Sequence, residues 1–124
     1  MPAPDGKVAA PYVPALTHKL FAVLTKVVVS QEEAEPHKMD HIKYITGLEA
    51  EGKVFGSGAL PVKNKSIDLG LIIFRAASLE EAEGFMKVEP MTAMGLSTYE
   101  IHEWIMSIGH LSITLNIAAG TFTL

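Results

Sequence analysis

The stretch "HKLFAVLTKVVVSQEEAEPHKMDHIKYITGLEAEG", His18 to Gly52, decides the fold. Its first third is a run of Val, Leu and Phe that reads as a buried strand, His18 to Ser30. At Ser30 the pattern changes. "SQEE" has capping-box spacing, and Pro36 follows a few residues later, where a first helical turn tolerates it. Met39, Ile42, Ile45 and Leu48 recur every three residues and predict the buried stripe of a helix ending near Glu51. Gly52 is placed to close it in a left-handed cap. A strand feeding a helix in this way is half of an α+β unit.

The rest of the chain repeats the alternation. "KVFGSGAL", Lys53 to Leu60, is a short strand loosened by Gly56 and Gly58, and glycine there marks a bulge or the close approach of another group. "VKNKS" is a polar turn, and "IDLGLIIFRA", Ile67 to Ala76, is a strand with Ile67, Leu69, Leu71 and Ile73 on one face. Ser78 and Glu81 have capping-box spacing before a second helix with Leu79, Ala82, Phe85 and Met86 as its stripe. "VEPMTAMG" is a turn or a single helical turn closed at Gly95. "TYEIHEWIMSI", Thr98 to Ile108, alternates as a fourth strand, with Tyr99, Ile101 and Ile105 on one side and His102, Trp104 and Met106 on the other. The order β-α-β-β-α-β predicts a ferredoxin-like sandwich, two helices on one face of an antiparallel sheet. The other face is apolar too, so a second copy packed against it, as in dimeric α+β barrels, is expected. The domain is placed at residues 18–124, after a Pro-rich arm at 1–17, and its apolar tail from His110 is expected to pack as an extra strand.

Composition narrows the function. With 124 residues there is room for one domain, and 48% hydrophobic residues supply a core and a subunit interface. The net charge is −4 and no basic cluster exceeds Lys63 and Lys65, which argues against nucleic acid. The absence of cysteine excludes disulfides, thiolate nucleophiles and cysteine metal sites. No apolar run suits a signal peptide or a bilayer span, so a cytoplasmic protein without membrane contact is expected. No phosphate-binding or dinucleotide-binding glycine pattern opens a helix, and no cofactor is called for.

His41 is the residue whose position asks for an explanation. It lies one turn before Ile45, beside the apolar stripe, and so points near the sheet. A core histidine with both nitrogens satisfied is the bland alternative. A general base needs an orienting carboxylate. Asp40 faces away, and Glu80, Glu81 and Glu83 read as a solvated face; Glu89, before Pro90 where the chain turns toward the last strand, is placed to reach back. His37 and His41 have the four-residue spacing of a metal pair, but no third ligand stands at diagnostic spacing, so no metal is assigned. Arg75, Lys43 and the backbone near Gly56, Ser57 and Gly58 are candidates for an anionic group of a substrate.

"HIKYITGLEAEGKVFGSGAL" and "SLEEAEGFMKVEPMTAMGL", in that order and with "HEW" after them, resemble YCII-related proteins. The resemblance covers His41 to about Trp104. It implies a fold similar to muconolactone isomerase and other dimeric α+β barrels, and an active site made of a histidine and an aspartate. These map onto His41 and Glu89. Glutamate in place of aspartate lengthens the reach by one carbon–carbon bond, ~1.5 Å. The implied activity is a cofactor-free proton transfer, lyase or isomerase, on a small aromatic or lactone-like molecule. A non-catalytic small-ligand-binding or oligomeric domain is the alternative.

Overall fold

The computed structural model describes residues 19–63, 68–110 and 112–123. The Pro-rich arm, His18 and Ile67 lie outside them. The chain divides after Ile105 into two units.

The larger unit carries β1 (Lys19–Val27), α1 (Gln31–Ala34), a 3-10 turn (Glu35–His37), α2 (Lys38–Ala50), β2 (Val54–Ala59), β3 (Leu69–Ala76), α3 (Leu79–Lys87), α4 (Pro90–Ala93) and β4 (Ser97–Trp104). The strands form one antiparallel sheet in the order β2-β3-β1-β4. This is the ferredoxin-like α+β arrangement. The central pair β1 and β3 is in continuous register from Lys19 opposite Ala76 to Lys26 opposite Leu69. The edge strand β2 shifts register between Val54 and Gly56.

Local chemistry accounts for the boundaries. The Ser30 hydroxyl accepts the Glu33 N–H and starts α1, and the Ser78 hydroxyl accepts the Glu81 N–H and starts α3. Pro36 offers no N–H, and the expected single helix is split there into α1, a 3-10 turn and α2. Gly52 (φ 78°) and Gly95 (φ 76°) take the left-handed conformation just beyond α2 and α4, where a side chain would be strained.

The core sits between the helices and one sheet face. Val23, Ile72 and Phe74 of the sheet meet Ile45 and Leu48 of α2 and Met86 of α3. Phe74 is wholly buried and stacks obliquely on Phe85, ring centres 5.1 Å apart. Each large side chain buried this way contributes about 1.5–3 kcal/mol.

Three expectations about faces are corrected. Met39 and Ile42 are 58% and 52% exposed. A strict three-residue series walks around the helix, since Met39 and Leu48 are about two and a half turns apart. The inward face is instead His41, Tyr44, Ile45 and Leu48. Leu79 is also exposed, leaving Ala82 and Met86 as the buried residues of α3. Finally, β4 stops at Trp104, so Ile105 does not continue the inward row of Tyr99 and Ile101.

The tail, expected as one extra strand, is a hairpin with its own two-stranded sheet. In it β5 (Thr114–Asn116) pairs with β6 (Thr121–Thr123), and Gly120 takes a positive φ at the turn.

Candidate functional site

The inward face of the sheet changes character along its length. Toward one end stand Phe21, Val23, Ile72 and Phe74. Toward the other stand Thr25, Gly70, Ser97, Ser57 and Ala59, which the strand register places on the same face. Small side chains there cannot fill the space under α2. The result is a cavity of about 390 Å³ between α2, α4 and the sheet, within the usual range for small-molecule sites. Gly70 keeps its floor open. A Cβ at that position would lie 2.7 Å from the Thr25 hydroxyl, closer than side chains pack.

Two walls carry the chemistry. Glu89 and Pro90 begin α4 as N-cap and first residue; an anion is stabilised at a helix N-terminus and proline is favoured as its first residue. One carboxylate oxygen of Glu89 (Oε1) accepts the Thr92 N–H at 2.9 Å and the Thr92 hydroxyl at 2.8 Å. The other (Oε2) accepts the Met91 N–H at 2.8 Å and meets His41 Nδ1 at 3.1 Å. The carboxylate is 2% exposed. Burial alone would raise its pKa, but the bonds from His41, the Met91 amide and Thr92 outweigh that and hold it down to about 2. Glu89 is therefore ionised across the neutral range.

That charge sets the state of His41. An ionised carboxylate only accepts hydrogen bonds, so Nδ1 carries the hydrogen and donates it. In the neutral ring Nε2 then keeps its lone pair. It has no hydrogen-bond partner among the described residues, and the side chain is 29% exposed. A cavity-lining histidine held at one nitrogen by a buried anion, with the other nitrogen unbonded among the described residues, is equipped to take and return a proton.

The cavity lining includes His41, Glu89, Ser57 and Gly58 among the residues singled out from the sequence. It does not include Gly56 or Arg75. The register shift in β2 leaves Gly56 paired with Ile73, whose side chain is on the opposite face. Arg75 alternates with Phe74 and so shares that opposite face; its guanidinium lies over the Phe55 ring, 5.1 Å from the centre. Lys43 is likewise absent from the lining.

Periodicity gives no role to Lys38 and puts Asp68 within the third strand, whereas it stands just before β3. Lys38 lies three residues before His41, on the same side of α2, and lines the cavity with Asp68. Its ammonium is 3.4 Å from Asp68 Oδ2 and 3.4 Å from Glu35 Oε2. The i−3 spacing from His41 was the signal available. Among the described residues no three His, Asp or Glu side chains gather as a metal site, and no helix is long and apolar enough to cross a membrane.

Comparison with known proteins agrees with the architecture. No curated protein sequence matches the chain. A solved structure of 5-chloro-2-hydroxyhydroquinone dehydrochlorinase (TftG) from Burkholderia phenoliruptrix AC1100, in complex with 2,5-dihydroxybenzoquinone, is similar with a TM-score of 0.59. The two share 22% identity over 68% of this chain and 92% of that one, a likeness of fold. Residues 19–105, most of the chain and all of the sheet, match the model of the YCII-related domain, and the chain therefore belongs to that family.

Proposed function

We propose that this protein is a cofactor-independent lyase or isomerase that moves a proton on a small organic molecule bound beneath α2. The observation that carries this reading is the 3.1 Å contact between His41 Nδ1 and the buried Glu89 carboxylate, with both residues lining one cavity.

In this scheme His41 is the general base. Nε2 takes a proton from a carbon made acidic by a neighbouring carbonyl or ring. Glu89 holds the tautomer and stabilises the imidazolium that forms, without taking the proton itself. Returning the proton to a different carbon gives isomerisation. Expelling a leaving group from the adjacent carbon gives elimination, the type of reaction named for the structurally similar dehydrochlorinase. The reading is supported by Glu89, where the resemblance implies an aspartate, since this longer side chain caps α4 and meets His41.

The residues outside the chemistry have simpler parts. Ser57 and Gly58 contribute one wall of the hollow. The ligand-binding subunit is proposed to work as a cytoplasmic homodimer or higher oligomer. That assembly would cover the second face of the sheet, where Leu69 and Leu71 remain half-buried.

A ligand-binding role without chemistry is the second reading. It is favoured by one observation: Glu89 already has a structural task as the cap of α4. Solvent-deuterium exchange at carbon separates the two. Wild-type protein and His41→Asn are incubated in D2O with a panel of chlorinated hydroquinones and enolisable lactones and followed by NMR, with chloride release measured in parallel. A loss of 10²–10⁴-fold in His41→Asn is expected for a general base. Equal rates in both, with the ligand still bound, leave only the binding role.

A further inference from the structure

Two charged groups of the cavity are held in very different ways. Glu89 is buried and makes its bonds to α4 at 2.8–2.9 Å. Lys38 is 33% exposed, and its three acceptors, Gln31, Glu35 and Asp68, stand at 3.3, 3.4 and 3.4 Å. Charge-assisted bonds of full strength are about 2.7–2.9 Å long. None of the three is that short, and Glu35 is 72% exposed, so its attraction is largely screened. The ammonium can turn to a new acceptor without giving up a strong bond. It is the one ammonium or guanidinium among the described residues lining the cavity.

Deepening the proton-transfer reading above, we infer that Lys38 receives an anionic oxygen of the ligand, so that the cavity selects small organic acids and enols. The balance of the step requires such a group. When Nε2 takes the proton, the electron pair of the broken C–H bond moves toward the carbonyl carbon, and negative charge arrives on oxygen. That oxygen accepts from the Lys38 ammonium, which turns away from Asp68. The pair then returns to carbon as Nε2 gives the proton back, or forms a new carbon–carbon double bond while the pair of the broken carbon–leaving-group bond goes with the departing anion. Neither course needs an oxidant or reductant. Asp68 is the counter-ion of Lys38 and competes with the ligand for it.

The test uses a matched pair of probes, 2,5-dihydroxybenzoquinone, which is acidic and anionic near neutral pH, and its neutral dimethyl ether. Affinities are measured by calorimetry for the full chain. Lys38→Met is expected to lose at least about tenfold for the anion with the ether changed less than twofold. Lys38→Arg keeps the preference for the anion, and Asp68→Asn strengthens anion binding a few-fold. Anion binding by Lys38→Met within twofold of wild type overturns the inference. So does a wild type that binds the anion no better than the ether. The deuterium-exchange comparison of wild type with His41→Asn reports separately on the base. Equal exchange there removes the catalytic reading and leaves the Lys38 result standing, while a lost Lys38 effect beside an intact His41 effect removes this inference alone.

Discussion

The two ends of the sheet's inner face are built from the same strands and do opposite things. At the filled end Phe21, Val23, Ile72 and Phe74 are between 0% and 2% exposed and meet the helices directly. At the hollow end Thr25, Gly70 and Ala59 leave about 390 Å³ unoccupied. Moving four residues along β3, from Phe74 through Ile72 to Gly70, is enough to pass from core to cavity floor. The difference teaches that stability and the site are separable here. The large side chains hold α2 in place, and that placement suspends His41 over a space the small ones leave free.

The contrast is broken most severely at the filled end. Phe74→Ala removes a wholly buried ring from between β1, α2 and α3 and is expected to cost about 3–5 kcal/mol, read as a drop in the denaturant midpoint with the slope unchanged.

Next in size is the acid response of Glu89, the rigid wall of the hollow end. Its carboxyl titrates near 4.5 when unperturbed and about 2 in the fold. A depressed folded pKa gives stability that is fully present above 4.5 and lost as pH falls toward 2. Wild type should lose on the order of 3 kcal/mol across that window from this group, at about 1.4 kcal/mol per pH unit. Glu89→Gln should be less stable at pH 7 and show a flatter acid limb in urea titrations. Equal slopes would mean that the carboxylate is not held as described.

A smaller effect sharpens the comparison at its boundary. Gly70→Ala forces a Cβ to within 2.7 Å of the Thr25 hydroxyl and should cost about 1 kcal/mol, while shrinking the cavity. Thr25→Ala removes the obstructing oxygen. The double variant should therefore be more stable than the sum of the single losses by at least about 0.5 kcal/mol, and thermal melts of the four proteins close the cycle.

The smallest change is expected on the outside of α2. Met39 is 58% exposed, and Met39→Gln should shift stability by less than about 0.5 kcal/mol. A loss of several kcal/mol would restore Met39 to the buried stripe and rotate His41 away from the sheet.

That last residue shows how far spacing reaches. Ser30, Gly52, Ser78 and Gly95 mark their helix ends correctly because a cap depends on groups within a few residues of one another. The face of α2 is not legible from spacing because four apolar residues three apart look continuous in a sequence while their side chains drift around the helix. Only packing against the sheet distinguishes His41 and Tyr44, which turn inward, from Met39 and Ile42, which do not.

By itself, then, the amino-acid order determined the element types, their succession, most of their caps and hence the α+β fold, since each rests on short-range periodicity or capping. It also made His41 and Glu89 candidates. The tertiary structure alone decided that these two, 48 residues apart, stand 3.1 Å from one another, and that Lys38 rather than Arg75 lines the cavity with them. The physical reason is geometric. The crossing of β3 between β1 and β2 and the seating of α2 on the sheet choose which side chains share a hollow, and strand parity sends Arg75 to the opposite face.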